Sequence, residues 1–232
     1  MTRKTFLLTQ KELGLLPKTI KPYALMSMKE KYAENGISKI GYLDIETSGL
    51  TANFDIMLSY AIVVRDVKTE KTSIRSGVIN RKDVDMALKK GDADLIDKRI
   101  LIQLLDDISD IDCLIGHWFI GKHRHDIPFV RTRCAINKIS GFPHHKMIRY
   151  GDTQKWGSHI HRLSSNGLAM IADAYGVSTK KTQIKSKDWK LACMGDKRAL
   201  DYVLDHNKKD CIITCKIHKH MEEYVPIPAT YC

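Results

Sequence analysis

Residues 42–50 read YLDIETSGL. Successive side chains of an extended strand alternate faces, so Asp44 and Glu46 point one way and Ile45 the other. Two ionised carboxylates on one face repel each other and lose hydration. A hard divalent cation relieves both costs, and carboxylate oxygens suit magnesium or manganese. The alternative is a strand end standing in water. Two further acids fall where other elements start or pass. Asp126, in HDIPFVRTRC, opens a helix just before Pro128, a place that also suits a helix-capping Asp. Asp210, in DHNKKDCIIT, lies four residues after His206, so the two share a helix face; a solvated helix carboxylate is the other reading. Acids from a first strand, a strand–helix junction and a final helix can converge on one spot. Two metals about 3.5–4 Å apart can activate water there and steady the leaving oxygen of a phosphodiester.

The elements that would position these acids follow from hydrophobic spacing. SMKEKYAENG reads as a short helix closed by Gly36, and KIGYLDIE as a strand. DIMLSYAIVVRD and KTSIRSGVIN, rich in Ile, Val, Tyr and Thr and split by VKTEK, read as a hairpin. DADLIDKRILIQLLDDISD repeats apolar residues at helical spacing. CLIGHW reads as a buried strand, IPFVRTRCAINKI as helix, KMIRYGD as strand, and SSNGLAMIADAYGV as a helix stopped near Gly176. STKKTQIKSKDWK reads as a polar, basic connector. The stretch from Lys197 to Tyr224 reads as one long helix or two, ended by Pro226 and Pro228. The order predicts an α/β fold: a mixed sheet, three antiparallel strands and then parallel ones, flanked by helices. One domain over 39–225 is expected, with 1–38 as an N-terminal extension and 226–232 as a tail.

The chain has 232 residues, 43% of them hydrophobic, enough for one sizeable core. No apolar run reaches the ~20 residues that span a bilayer. The first residues lack an apolar signal core and a small-residue cleavage site, so the cytoplasm is the expected location, with no membrane partner. Six cysteines without a Cys-x-x-Cys read as reduced core fillers, although Cys211 and Cys215 share a helical face. Residues 113–191 hold 14 Lys and Arg against 4 Asp and Glu, an excess of 10 in a net charge of +11. A basic field suits a polyanion, because neutralising phosphates releases counterions; a merely soluble basic protein shows the same balance. No Gly-x-x-x-x-Gly-Lys-Ser/Thr loop supports an NTPase and no Gly-x-Ser-x-Gly elbow a serine hydrolase. The histidine pairs at 123–125, 144–145, 159–161 and 218–220 lack zinc-finger cysteines and read as solvated or phosphate-facing. Arg131 and Arg133, within a turn or so of Asp126, are candidate phosphate contacts. Lys185 and Lys187 beside Trp189 combine lysines for phosphate with an aromatic for base stacking, a single-strand binding pattern; a solvated loop with one anchoring Trp is the alternative.

LDIETSGL, DIPFVRTRC and HNKKDCIIT together resemble the three motifs of the DEDD 3′–5′ exonucleases, the superfamily of polymerase proofreading domains and ribonuclease T. The nearest subgroup is the stand-alone ribonuclease H-like exonucleases, to which YGDTQKW and RLSSNGLAMIADAYGV are also similar. The resemblance covers roughly residues 39–220. It implies a ribonuclease H-like fold and 3′–5′ hydrolysis of DNA or RNA, single-stranded at its 3′ end. It further implies two Mg2+ or Mn2+ ions held by Asp44, Glu46, Asp126 and Asp210. The TSGL backbone with Thr47, and Leu50, would lie near the terminal nucleotide. His206 stands four residues before Asp210, in a slot where the family's tyrosine-type members carry tyrosine. An imidazole there can orient or deprotonate the attacking water. Two departures stand out: His125 occupies the place of an aromatic before the second-motif Asp, and GHWFIGKHRHD is a few residues longer than the usual loop. They leave open a basic nucleic-acid-binding protein without turnover, or a structure-specific endonuclease on a related fold.

Overall fold

The computed structural model describes residues 26–120, 125–143, 147–178 and 184–230. Strands β1 (Lys39–Thr47), β2 (Met57–Asp66) and β3 (Thr72–Val78) form an antiparallel meander. β4 (Cys113–Gly116) adds parallel to β1, and β5 (Arg149–Asp152) parallel to β4, giving the order β3-β2-β1-β4-β5. This is the mixed α/β sheet expected, with β1 at its centre. Among the described residues eight helices flank it: α1 (Met28–Glu34), α2 (Arg81–Lys90), α3 (Lys98–Asp107), α4 (Asp126–Ile136), α5 (Thr153–Ile160), α6 (Leu168–Ala174), α7 (Ser186–Cys193) and α8 (Lys197–Met221).

Alternation along β1 sorts its side chains between two apolar clusters. Leu43 and Ile45 enter the larger one with Ile100, Leu101 and Leu104 of α3 and Ile127 and Val130 of α4. Ile40 and Tyr42 enter a second with Tyr32 of α1 and Cys211 and Cys215 of α8. Asp44 and Glu46 have the parity of Ile40 and Tyr42, so they lie on the face that α8 covers. β4 pairs with β1 only from Ile40 to Tyr42, so the acid-bearing half of β1 runs on past the end of β4. In open α/β sheets that crevice, beyond the carboxyl ends of the strands, is where ligands bind.

Several elements differ from the sequence reading. RKDVDMALKK, assigned no element, is α2, started by an Asn80–Asp83 capping box and closed by Gly91 at φ 66°. The predicted helix from Asp92 onward begins with a 3-10 turn at Ala93–Leu95, and α3 starts only at Lys98. The break falls at Asp97, whose carboxylate is turned into the core. Thr153–Ile160 is helix because Asp152 caps it, accepting from Gln154 and Lys155 N–H at 2.9 and 3.1 Å. Part of the basic connector is α7, with Ala192 in the larger cluster and Trp189 and Leu191 packed against it. α8 is one helix of 25 residues. Residues 1–25 lie outside the described residues, but Tyr32 and Ile37 are core residues, and Ile37 follows Gly36 at φ 68°. Near the C-terminus Ala229 bridges Tyr150, and Arg149 donates to the Pro228 and Asn35 carbonyls. The five described cysteines are free, four of them buried; Cys232 lies outside the described residues.

Candidate active site

The first two acids are set by β1 and its partner. Asp44 pairs with Ala61 across the β1–β2 ladder and Glu46 with Ser59, and the register shifts after Glu46. α8 is pinned at the same level, because the buried Cys211 thiol donates to the Ala61 carbonyl at 3.0 Å. That bond sets Asp210, the residue before Cys211, beside β1. Burial, then the charges of Asp44, Asp210 and Asp126, push the Cys211 thiol well above its ordinary range. Three acids from three separate elements therefore lie within electrostatic reach of one sulfur. His206, a turn earlier on α8, places Nε2 3.8 Å from Glu46 Oε1 and 3.9 Å from Asp210 Oδ2.

Asp126 is the first residue of α4 and is buried. The helix-capping alternative does not hold: the cap position is His125, whose side chain makes no capping bond. The Asp126 carboxyl instead meets β1 where β4 has ended. Burial first, then the charges of Glu46 and Asp152, push it well above the usual carboxylate range, opposed by the Ile45 N–H. Its Oδ2 is buried and accepts no hydrogen bond, a costly state for a carboxylate oxygen.

His125 ties the second motif to the turn after β1. Thr47 Oγ1 donates its one hydrogen to the Gly49 carbonyl at 2.6 Å, so it accepts from His125 Nε2–H at 3.1 Å. The ring packs 5.0 Å from that of Phe129, and burial lowers its pKa against the pull of Asp55. Asp55 holds the turn from inside, accepting from Ser48 Oγ at 3.1 Å and Thr51 N–H at 2.9 Å. Leu50 and Phe54 project from this turn, 84% and 86% exposed. A cavity of about 230 Å³ lies between Leu50–Asn53 and the His125–Thr132 face of α4.

Arg133 is not a phosphate contact. It is buried, and every guanidinium hydrogen is engaged: Nε and Nη2 with Asp97, Nη1 and Nη2 with Asp94 and its carbonyl, and Nη1 with the Ala52 carbonyl. It holds up the Thr47–Asp55 turn from beneath. Arg131 donates to the Tyr150 hydroxyl and lies over the Phe142 and Tyr150 rings. Lys185 and Lys187 are exposed, whereas the Trp189 ring is half-buried against the core, matching the anchoring alternative. Lys187 lines a cavity of about 500 Å³ with Arg198 and Tyr202 of α8. His218, read as solvated or phosphate-facing, is wholly buried among Tyr32, Tyr42 and Trp156.

Asp152 escaped the sequence reading. Buried at the end of β5, it caps α5 with Oδ1 and accepts from Phe119 N–H with Oδ2 at 2.9 Å, fixing the turn out of β4. An Asp ending a strand before Thr-Gln-Lys was the available signal, since it is an N-cap pattern.

Four carboxylates and an imidazole gathered at one sheet end are hard donors of the kind magnesium and manganese take, and the buried Asp126 Oδ2 lacks the hydrogen-bond partner whose place such a cation would take. As they stand, no three His, Cys, Asp or Glu side chains among the described residues form a group that could hold a metal ion. The donors thus fit a hard cation in kind, and binding one requires them to draw inward. No helix among these residues is long and apolar enough to cross a membrane. A family model of the RNase H superfamily matches residues 41–222. The chain belongs to the RNase H superfamily. No curated protein matches it significantly. Membership in the RNase H superfamily points to hydrolysis of nucleic acid, with divalent metals as the general cofactor class. The matched span runs from β1 to the C-terminal end of α8, so it includes all five residues of the acidic centre.

Proposed function

We propose that this RNase H-superfamily chain is a metal-dependent 3′–5′ exonuclease acting on single-stranded ends. Asp44, Glu46, Asp126 and Asp210 would hold two Mg2+ or Mn2+ ions. The observation that carries the reading is the buried Asp126 carboxyl, one oxygen without a hydrogen-bond partner, in the field of Glu46 at the end of the central strand. Desolvated carboxyls with a second acid nearby concentrate at functional sites. When bound, divalent cations lower the pKa of water and neutralise charge on the leaving oxygen. His206, between Glu46 and Asp210, is the group to orient water or take its proton. The turn with Thr47 and Leu50 would receive the terminal nucleotide, and Lys185 and Lys187 would neutralise phosphates further along.

A second reading is a nucleic-acid-binding protein without turnover. It is favoured by the absence of a ready three-ligand group among the described residues. End-labelled linear and circular single strands of DNA and RNA, with Mg2+, Mn2+ or EDTA, separate the readings. The exonuclease releases mononucleotides from linear strands only, and stops with EDTA. Binding without cleavage in either metal selects the second reading, and opening of the circle selects an endonuclease. If Asp44→Ala degrades the linear strand as fast as the parent, the carboxylate assignment is wrong.

A further inference from the structure

β2 is buried along nearly its whole length, and Ser59 interrupts its apolar run. Ser59 pairs with Glu46 across the ladder and has the parity of Ala61 and Val63, which lie in the cluster that α8 covers. Directly paired residues share a face, so the Ser59 hydroxyl stands beside the Glu46 side chain under α8. Ser59 is wholly buried, and its Oγ has no hydrogen-bond partner among the described residues.

α8 brings a second such group to the same place. The helix runs over this face antiparallel to β1: His218 meets Tyr42, Cys211 meets Ala61 opposite Asp44, and His206 meets Glu46. Asn207 is one turn before Cys211, with Oδ1 4.0 Å from its sulfur. Four helical residues rise about 6 Å and two residues of strand about 7 Å. Stepping back from Cys211 to Asn207 therefore moves from the Asp44–Ala61 pair to the Glu46–Ser59 pair. Val203, Asn207 and Cys211 form a wholly buried stripe at helical spacing. Within it, Asn207 Nδ2 is a second buried donor without a hydrogen-bond partner among the described residues.

Buried donors left unsatisfied are costly and rare. Packing does not require these two, because leucine at 207 and alanine at 59 would continue the apolar surfaces on either side. Both lie at the level of one carboxylate, and both are neutral. A lysine or arginine here would cancel charge that a divalent cation needs, whereas an amide and a hydroxyl donate without doing so. Carboxylates that hold a metal are themselves hydrogen-bonded by such outer groups. We propose that Asn207 and Ser59 are positioning residues for Glu46, their N–H and O–H donating to its carboxylate when the acids draw in around a hard cation. This rests on the metal-dependent reading of the acidic centre and deepens it, by naming what fixes the Glu46 carboxylate.

The test is Mn2+ binding by the full chain without nucleic acid, read from the electron paramagnetic resonance of free Mn2+, beside Tm in EDTA. Asn207→Leu removes the amide at similar volume, and Ser59→Ala removes the hydroxyl. Both variants bind Mn2+ more weakly than the parent, Asn207→Leu by about 10–100-fold. Tm of Asn207→Leu in EDTA is no lower than the parent's, because an unsatisfied group has gone. In a Glu46→Gln background the same change costs no further affinity, as expected of a residue that acts through Glu46. The assignment is overturned if Asn207→Leu binds Mn2+ as tightly as the parent, or loses as much affinity in the Glu46→Gln background as in the parent. A lower Tm in EDTA with unchanged affinity marks a merely structural amide and overturns it too. Should Asn207→Leu fail to fold, Ser59→Ala decides by the same comparisons. A parent that binds neither Mn2+ nor Mg2+ overturns both this assignment and the metal-dependent reading. A parent that cleaves in Mn2+ beside an equally tight Asn207→Leu overturns this one alone.

Discussion

His218 makes the stability of this protein fall with acidification by an amount that can be worked out. It lies on α8 two turns past Asp210 and is fully buried. Tyr42 Oη is 2.8 Å from Nδ1, Tyr32 Oη is 3.4 Å from Nε2, and the Trp156 indole stacks at 5.4 Å. Burial, and then the Arg65 charge, hold its pKa down at about 3, against 6.5 ordinarily. Above about pH 6.5 neither folded nor unfolded chain protonates this imidazole, and its stabilising contribution is complete. Below that value only the unfolded chain takes up the proton, so stability falls by ~1.4 kcal/mol per pH unit until the folded pKa is reached. The loss is about 3 kcal/mol at about pH 4.5 and ~4 kcal/mol near pH 3, a large part of a typical 5–15 kcal/mol. Urea unfolding of the parent and His218→Gln across this range is the assay. The variant is less stable at neutral pH by ~1–3 kcal/mol, from the broken hydrogen bonds. Its curve is flatter in acid, so the two converge and cross. Parallel curves, or a His218 imidazole resonance titrating near its ordinary value, would refute the reasoning.

Three further outcomes are expected. Asp126→Asn removes a carboxyl that burial and Glu46 already penalise; Tm should rise, more so at higher pH, while single-strand cleavage is abolished, and a lower Tm contradicts the description of the site. Arg133→Met leaves Asp97 buried without its cation, at a cost of about 3–5 kcal/mol in urea unfolding; a loss under about 1 kcal/mol would mean the pair contributes little. At Gly49, a Cβ would meet an Asp55 carboxylate oxygen at 2.5 Å, so Gly49→Ala displaces the turn. It should cut kcat/KM about 10–100-fold with Tm nearly unchanged; unaltered kinetics would separate the turn from the active site.

The pair Asp44 and Glu46 was legible because strand parity is local: two residues apart means one face whatever else the chain does. The helix stop at Gly176 and the shared face of His206 and Asp210 were legible for the same reason, as backbone stereochemistry and 3.6-residue periodicity act among neighbours. In VRTRC the two arginines, two apart on a helix, must face different ways, and that too is written locally. Which of them is buried is not. Asp97, 36 residues earlier, decides it by presenting a carboxylate inside the core. His218 looked like a solvated histidine in HKH until Tyr32, Tyr42 and Trp156 arrived from three other elements. Asp126 also suited a helix cap until the helix proved to start one residue earlier, at Asp126 itself, with His125 at the cap position. The short helices α5 and α7 escaped because α5 rests on its single cap, Asp152, and α7 on packing against a distant core, rather than on a long pattern of their own. The sequence by itself determined the order of elements and which acids share a face, since those follow from bonded geometry. Burial, ionisation and the closeness of the acids were decided only by the tertiary structure, because each depends on desolvation and charge supplied by segments far away in the chain.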